Sequence, residues 1–413
     1  MKVVHIGFKY GQCNTGGAAI AATRLHNALL AHNVESHYIC VWQCEDGVNV
    51  HELPGRHGVA RWFYLVLTKF LRAIWRLSSY KRSIPLNLIP LYGLENELLA
   101  IKPDIVHIHW ITADVVSYHQ LKRIRRLLNR IGISVRIVVN LHDLYLLNVF
   151  DPHPGRDLRY IRGVDKNNST MLERVVFIRK KKLIADLMPI FVGPSKWVCQ
   201  CCKESVIGKP YKVFDIPNII PEDFYYEGIQ RHLNKRTILL FGSYGGRSNL
   251  YKGFADLEAA LEILPQGVKD RCELHIFGED AKDMILHGVP VKFLGMIKDV
   301  NMLRQVYNAS DVFLFPSVEE TQGMTKIEAM LCGLPVVTFA RTACAEGIEH
   351  QVTGWIANDG DVGAFAKGIA YYVDHRANPE FIAGKAKMLY GKERTIEKFL
   401  TMYAQMEGVS SIA

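Results

Sequence analysis

The segment PSVEETQGMTKIEAMLCGLPVVTF, Pro316 to Phe339, sets three acids, a glycine among polar residues and a Cys-Gly-Leu-Pro turn around an apolar helix-like run. A purely structural strand–helix–strand unit needs none of those acids. Glu320 precedes the helix-like TKIEAMLCG and Glu328 lies inside it, with seven residues between them. Two acids about two helical turns apart can reach different parts of one ligand. The backbone amides of Gly323, Met324 and Thr325 fall at the start of that helix, where a phosphate or a sugar oxygen is welcome.

Two glycine-rich loops offer the complementary charge. In FGSYGGRSNLYKGFADLEAAL a strand ends at Gly242 and Ser243, a polar loop follows, and a helix begins after Lys252. Arg247 and Lys252 can point cations at a diphosphate from that loop; a solvated loop with ordinary surface charge is the plainer reading. In KYGQCNTGGAAIAATRL, Gly16 and Gly17 stand just before a helix. Glycines there let backbone N–H groups approach a phosphate, and a tight turn is again the plainer alternative. Cations and helix N-termini for a diphosphate, with acids for hydroxyls, describe a site for a nucleotide sugar.

Elements must hold these loops. Strand-like runs alternate with helix-like runs throughout: KVVHIGF, SHYICVW, DIVHIHWI, VRIVVNLH and IFVGPS, then RTILLFG, CELHIFG, VKFLG, VFLFPS and PVVTF. Most are short, β-branched and apolar on both faces, as parallel strands covered by helices on both sides are. Between Gly17 and Leu30, the residues Ala21, Leu25, Ala28 and Leu29 share one helix face. The paired prolines and polar tail of Ile216–Thr237 read as a linker. The pattern is two doubly wound α/β domains, with ligand expected beyond the C-terminal strand ends in the cleft between them.

The totals agree with a two-domain globular chain. It has 413 residues, 49% of them hydrophobic, and no run of 18 or more apolar residues. The start, MKVVHIGF, lacks a signal-peptide cleavage pattern, and a cytoplasmic location is expected. Net charge of +9 points to anionic partners. Zinc-finger, RNA-recognition and arginine-rich signatures are missing, so nucleic acid is not expected among them. Nine cysteines are scattered, and the CQCC run at Cys199, Cys201 and Cys202 lacks the second pair a zinc site needs. Ordinary reduced thiols are expected there.

Taken with its flanks, the Glu320/Glu328 motif followed by AMLCGLPVV resembles the retaining family 4 glycosyltransferases of the GT-B fold, two Rossmann-like domains facing across a cleft. The chain is similar in particular to bacterial enzymes of exopolysaccharide, capsule or lipopolysaccharide synthesis. GGAAIAATRL, PDIVHIHWI, LHDLY, VGPSKW, IPN and KG follow in the family's order. The resemblance implies an N-terminal acceptor domain over 1–225, a donor domain over 226–394, and a C-terminal helix, 395–413, returning to the first domain. It implies that Glu320 contacts the donor sugar, Glu328 the ribose and Lys252 the diphosphate. Gly16 and Gly17 match the loop that closes over the diphosphate, and His142 matches the acceptor-side histidine; a packed strand-end histidine is its alternative. No metal and no cofactor beyond the donor are implied, although His107 and His109 point to one side of their strand like a metal pair.

The chain departs from the family at several points. Ser243 and Tyr251 stand where basic residues are frequent, Gln322 where an aromatic is common, and the Gly pair expected before Glu346 is replaced. The Gly-Gly-Cys-His run that often follows His-Asp is missing.

The implied reaction is retaining hexosyl transfer from a nucleoside diphosphate sugar to a hydroxyl of a saccharide acceptor, lipid-linked by expectation. A nucleotide-sugar epimerase or hydrolase, or a non-catalytic nucleotide-sugar-binding partner, are the alternatives. Arg61–Arg82, rich in aromatics and cations, would put Arg61, Lys69, Arg72 and Arg76 within about 80° on a helix. Beside them Trp62, Phe63, Phe70, Ile74 and Leu77 form an apolar arc. That suits the anionic inner face of the cytoplasmic membrane, or a buried helix with snorkelling cations. The run IRKKKL, Ile178–Leu183, either adds to that face or is a solvated charge run.

Overall fold

The computed structural model describes residues 1–11, 16–53, 66, 70, 87, 90–110, 116–150, 159–228, 236–242 and 245–407. Contacts divide the chain into two units: Met1–Ile216 with Lys398–Ala413, and Pro217–Glu397. Ser243 and, apart from Val66 and Phe70, the Arg61–Arg82 segment lie outside the described residues.

The first unit is built on β1 (Lys2–Ile6), β2 (Lys9–Tyr10), β3 (Glu35–Cys40), β4 (Trp42–Gln43), β5 (Val50–Glu52), β6 (Ile105–His109), β7 (Arg136–Asn140), β8 (Ile190–Gly193) and β9 (Val213–Asp215). Seven of these make one sheet in the order β5-β3-β1-β6-β7-β8-β9. Every pairing in it is parallel. A strand buried on both faces must be apolar throughout, and all five residues of β6 are buried. The chain winds one way from β1 to β3 and the other way from β6 onward, so the C-terminal ends of β1 and β6 flank a switch point.

The second unit repeats the plan with β10 (Thr237–Gly242), β11 (Cys272–Phe277), β12 (Met284–Leu286), β13 (Val289–Phe293), β14 (Val312–Phe315), β15 (Val336–Phe339) and β16 (Gly354–Ala357). Their order is β12-β13-β11-β10-β14-β15-β16. Only β12 runs antiparallel to its neighbour. It enters through a two-residue turn in which His287 and Gly288 both have positive φ, 49° and 88°, the twist-matched hairpin geometry. Here the switch point lies between β10 and β14.

Each of the ten strand-like runs contains a strand, and the two doubly wound parallel-sheet units are as expected. The strands not foreseen are edge pieces of two to four residues, too short for a periodic signal. The linker reading of Ile216–Thr237 needs correction over its first half. Ile220 and Phe224 are buried in the second unit's core, and Arg304 stacks over Tyr225 at 4.6 Å. Apolar side chains at that spacing bind the segment to the unit it precedes.

In the helix Lys392–Glu407, the part from Lys398 onward belongs with the first unit. Phe399 and Tyr403 are 1% and 0% exposed, the Tyr403 hydroxyl is 2.7 Å from His107 Nδ1, and Arg136 Nε donates to the Met406 carbonyl at 3.1 Å. Phe399→Ala should therefore destabilise the first unit by about 3–4 kcal/mol, the usual result of emptying a buried aromatic site. Hydrogen exchange should quicken in β1 and β6 and stay unchanged in β10 to β15. Equal acceleration in both sheets would contradict this assignment of the helix.

Candidate functional site

The second unit's switch point brings together residues that the sequence separates. The loop after β10 carries two short 3-10 turns, Gly246–Ser248 and Leu250–Lys252. Asn249 Oδ1 accepts the Tyr251 N–H at 3.2 Å, which shapes the second turn. Val318 N donates to the Tyr251 carbonyl at 2.8 Å and ties this loop to the one after β14. Gly253 has φ of 68°, and a Cβ there would collide with the Pro316 carbonyl. Only glycine permits that close pass. The result places Lys252 Nζ 2.5 Å from Glu320 Oε1, with side chains 26% and 13% exposed. The ammonium has three N–H donors, so this contact leaves others for an anion.

Arg247 is paired with an acid. Its Nη2 and Nε donate to Glu279 Oε1 at 2.7 and 3.1 Å, and its backbone N–H donates to Glu279 Oε2 at 2.9 Å. The side-chain bonds from Arg247 hold the Glu279 carboxyl below its ordinary range. Glu279 was missed in the sequence, although an acid directly after the strand end HIFG is the signal that could have found it.

Glu328 lies on the helix Met324–Leu331 and is only 5% exposed. Tyr307 donates to its Oε2 at 3.4 Å. Gly323 is the N-cap with φ of 78° and no side-chain cap, so the first N–H groups of this helix, from Met324 and Thr325, are not capped by its side chain. Gln322 Oε1 accepts Asn218 N–H at 3.1 Å. Lys326 was also missed: it is fully buried, and its Nζ donates to the carbonyls of Ala343, Cys344 and Glu346 at 2.9, 3.2 and 2.8 Å. The loop it grips returns to Glu320, whose N–H donates to Thr342 Oγ1 at 3.0 Å and whose carbonyl accepts Ala343 N–H at 3.3 Å.

In the first unit Gly16 caps the helix Gly17–Ala31, with open space where a Cβ would stand. His142 follows β7 and joins a row of imidazoles. His142 Nε2 is 3.0 Å from His109 Nδ1, and His109 Nε2 is 3.0 Å from His5 Nδ1. His5, His107 and His109 bring one nitrogen each within 4.8 Å of one another. The rings of His107 and His109 stack at 4.3 Å with planes 28° apart. In-plane lone pairs on stacked rings run nearly parallel, whereas a shared ion needs them to converge. The CQCC cysteines are free thiols buried on the helix Lys196–Glu204.

Residues 235–375 match the family described as Glycosyl transferases group 1. That match lies within the second unit. The chain is 31% identical over 144 residues to the amylovoran biosynthesis glycosyltransferase AmsK of Erwinia amylovora, an alignment covering 33% of this chain and 31% of that protein. Alignments cover 48% and 28% of two further curated relatives, so the chain spans less than half the length of these curated relatives. Among solved structures it is similar to sucrose-phosphate synthase from Thermosynechococcus elongatus, with TM-score 0.66, 16% identity and 99% of both chains covered. Anabaena Alr3699/HepE in complex with UDP matches with TM-score 0.56, 16% identity and full coverage of both chains. The fold is GT-B.

The histidine row gives this GT-B chain a measurable pH response. Burial, reinforced by neighbouring imidazoles, holds His5 and His109 well below their ordinary range. Burial lowers His107 to about 3 and His142 to about 4. Below about pH 6.5 the unfolded chain takes up protons that these folded sites refuse. Their contribution to stability is therefore complete above about 6.5 and is lost as pH falls toward the folded values. Each group steepens the loss by up to about 1.4 kcal/mol per pH unit. Urea unfolding between pH 6.5 and 5, above most carboxylate titration, should show a steep fall in stability. A flat profile there would mean that the cluster takes up protons in the folded state.

Proposed function

We propose that this protein is a glycosyltransferase that moves a sugar, with retention of configuration, from a nucleoside diphosphate sugar to a hydroxyl of a saccharide acceptor. Bacterial surface polysaccharide synthesis is its setting, with a lipid-linked acceptor. The observation that carries this reading is the contact of Lys252 with Glu320 at the second sheet's switch point, inside the region that matches the glycosyltransferase family. The UDP complex of HepE supports a nucleoside diphosphate as the donor's leaving portion.

The roles follow from charge. Sugar transfer passes through an oxocarbenium-like state while negative charge grows on the departing diphosphate. Lys252 is held by Glu320 and keeps spare N–H donors for that charge, with the N-terminal amides of Met324–Leu331 adding to the same field. Glu320 meets the donor sugar's hydroxyls, and Glu328 accepts from the ribose. In the front-face route implied by the family resemblance, the leaving phosphate takes the acceptor proton as the new bond forms. His142 stands on the acceptor side. Gly16 and Gly17 close over the diphosphate. No metal is assigned a step.

Lys252→Ala should lower kcat by about 10²–10³-fold and raise donor KM far less, because its charge matters most as the diphosphate leaves. Nucleotide release and product mass, read together across a panel of nucleotide sugars and lipid-linked acceptors, supply the assay. Wild-type kcat in Lys252→Ala would remove the electrostatic role.

The two glutamates separate by kinetics. Glu320→Gln should lose most turnover while keeping its fold. Glu328→Ala should raise donor KM by about 10-fold or more, the worth of a hydrogen bond to a charged group. An unchanged donor KM in Glu328→Ala would count against ribose binding.

A further inference from the structure

The run IRKKKL lies on the helix Met171–Leu187, which packs beside the helix Tyr118–Asn129 on one side of the first unit's sheet. Lys122 bridges Asp186 at 3.1 Å, and Arg179 lies over the Tyr118 ring at 5.5 Å. The inner sides of both helices are apolar: Val176, Phe177, Leu183 and Ile184 on one, Leu121, Ile124 and Leu128 on the other, all buried. Their outward sides depart from what a solvated surface requires. Met171, Val175 and Ile178 are 75%, 44% and 59% exposed. At about 100° per residue these three fall with Lys182 and Ala185 within about 80°, so they form one stripe along the helix. Met188, just past the helix end, is 58% exposed.

Cations surround this stripe. Lys181 and Lys182 are exposed on the same helix, and Arg123, Arg126 and Arg130 are exposed on or just beyond its neighbour. The helix Tyr118–Asn129 contains no acid. The two acids of Met171–Leu187 are committed elsewhere: Glu173 is buried against Arg159 and Thr170, and Asp186 pairs with Lys122. None of the five exposed cations meets an acid among the described residues.

We propose that the outward face of this helix pair is a docking surface for an anionic lipid bilayer. An amphipathic helix lying in the interface buries a narrow apolar row at the acyl boundary, while flanking Lys and Arg reach back to the phosphates on flexible stems. Met171, Val175 and Ile178 form such a row, and the five cations supply the flanks. An acidic soluble protein would satisfy the cations and leave the exposed row without a partner. This proposal uses no residue of Arg61–Arg82 and does not depend on the sugar-transfer reading.

Co-sedimentation of the full chain with phosphatidylglycerol–phosphatidylcholine vesicles, and with phosphatidylcholine alone, tests it. Wild type should bind the anionic vesicles far more strongly than the neutral ones, on which only the part due to apolar insertion remains. The triple variant Arg126→Gln, Lys181→Gln, Lys182→Gln should lose about 100-fold in partition at low salt, since each cation near such a surface is worth about fivefold. Val175→Ser with Ile178→Ser should retain low-salt binding and lose the part that survives high salt, because screening leaves apolar insertion intact. All of these side chains are at least partly exposed and none belongs to the donor site, so donor binding should be unchanged in both variants. Equal partition of wild type and triple variant overturns the proposal. So does full displacement by soluble polyglutamate with no effect of the serine variant, which would assign the face to an acidic protein.

Discussion

An ammonium buried away from water is tolerated only where each of its N–H groups finds an acceptor. Lys326 meets that condition with three backbone carbonyls of the loop after β15, and much of the second unit's site hangs from it. Burial lowers this lysine to about 8, against the pull of nearby Cys344, Glu346 and Glu320. A neutral amine has two N–H groups, one fewer than the carbonyls it faces, so the charged form fits the cage better. The gripped loop supplies Thr342 and Ala343 to the backbone of Glu320 on both sides. Glu320 in turn fixes Lys252. One ammonium thus sets, through two backbone bonds, where the carboxylate and its partner cation stand.

The first unit uses the same device. Lys180 is fully buried and donates to the carbonyls of Tyr145, Asn148 and Val149 at 2.6, 3.1 and 2.8 Å, the turn that follows His142 and Asp143. Trp110 Nε1 donates to Asp143 Oδ2 at 2.9 Å, which joins that turn to the end of β6. In each unit a loop at the C-terminal edge of the sheet would leave several carbonyls pointing inward. A lysine from a neighbouring helix satisfies three of them at once, which a neutral side chain of the same length cannot do.

Much of this fold was legible in the sequence because its strands are buried on both faces. A run such as IVHIH or VFLF allows few environments, and ten such runs separated by helical patterns leave little choice of architecture. The Glu320/Glu328 spacing and the glycine before the helix were legible for a related reason: acids and glycine have local signatures. Lys326 and Lys180 were not, because a lysine in a helix reads as solvated and its true partners are carbonyls far along the chain. The histidine row was visible only in part. His107 and His109 share a strand face by period, but His5 and His142 join them through strand pairing that no local pattern records.

Arg247 and Lys252 show why spacing alone could not divide labour within one loop. Both are cations in the same glycine-rich stretch. A guanidinium presents a planar fork that matches a carboxylate at two points, and Arg247 spends it on Glu279 while its own backbone N–H joins the same acid. That arrangement fixes the loop's shape. An ammonium is a compact charge with rotatable donors, and Lys252 needs only one of them for Glu320. The residue whose geometry suits a permanent clamp holds the loop. The residue whose donors can be shared stands where an anion can be met.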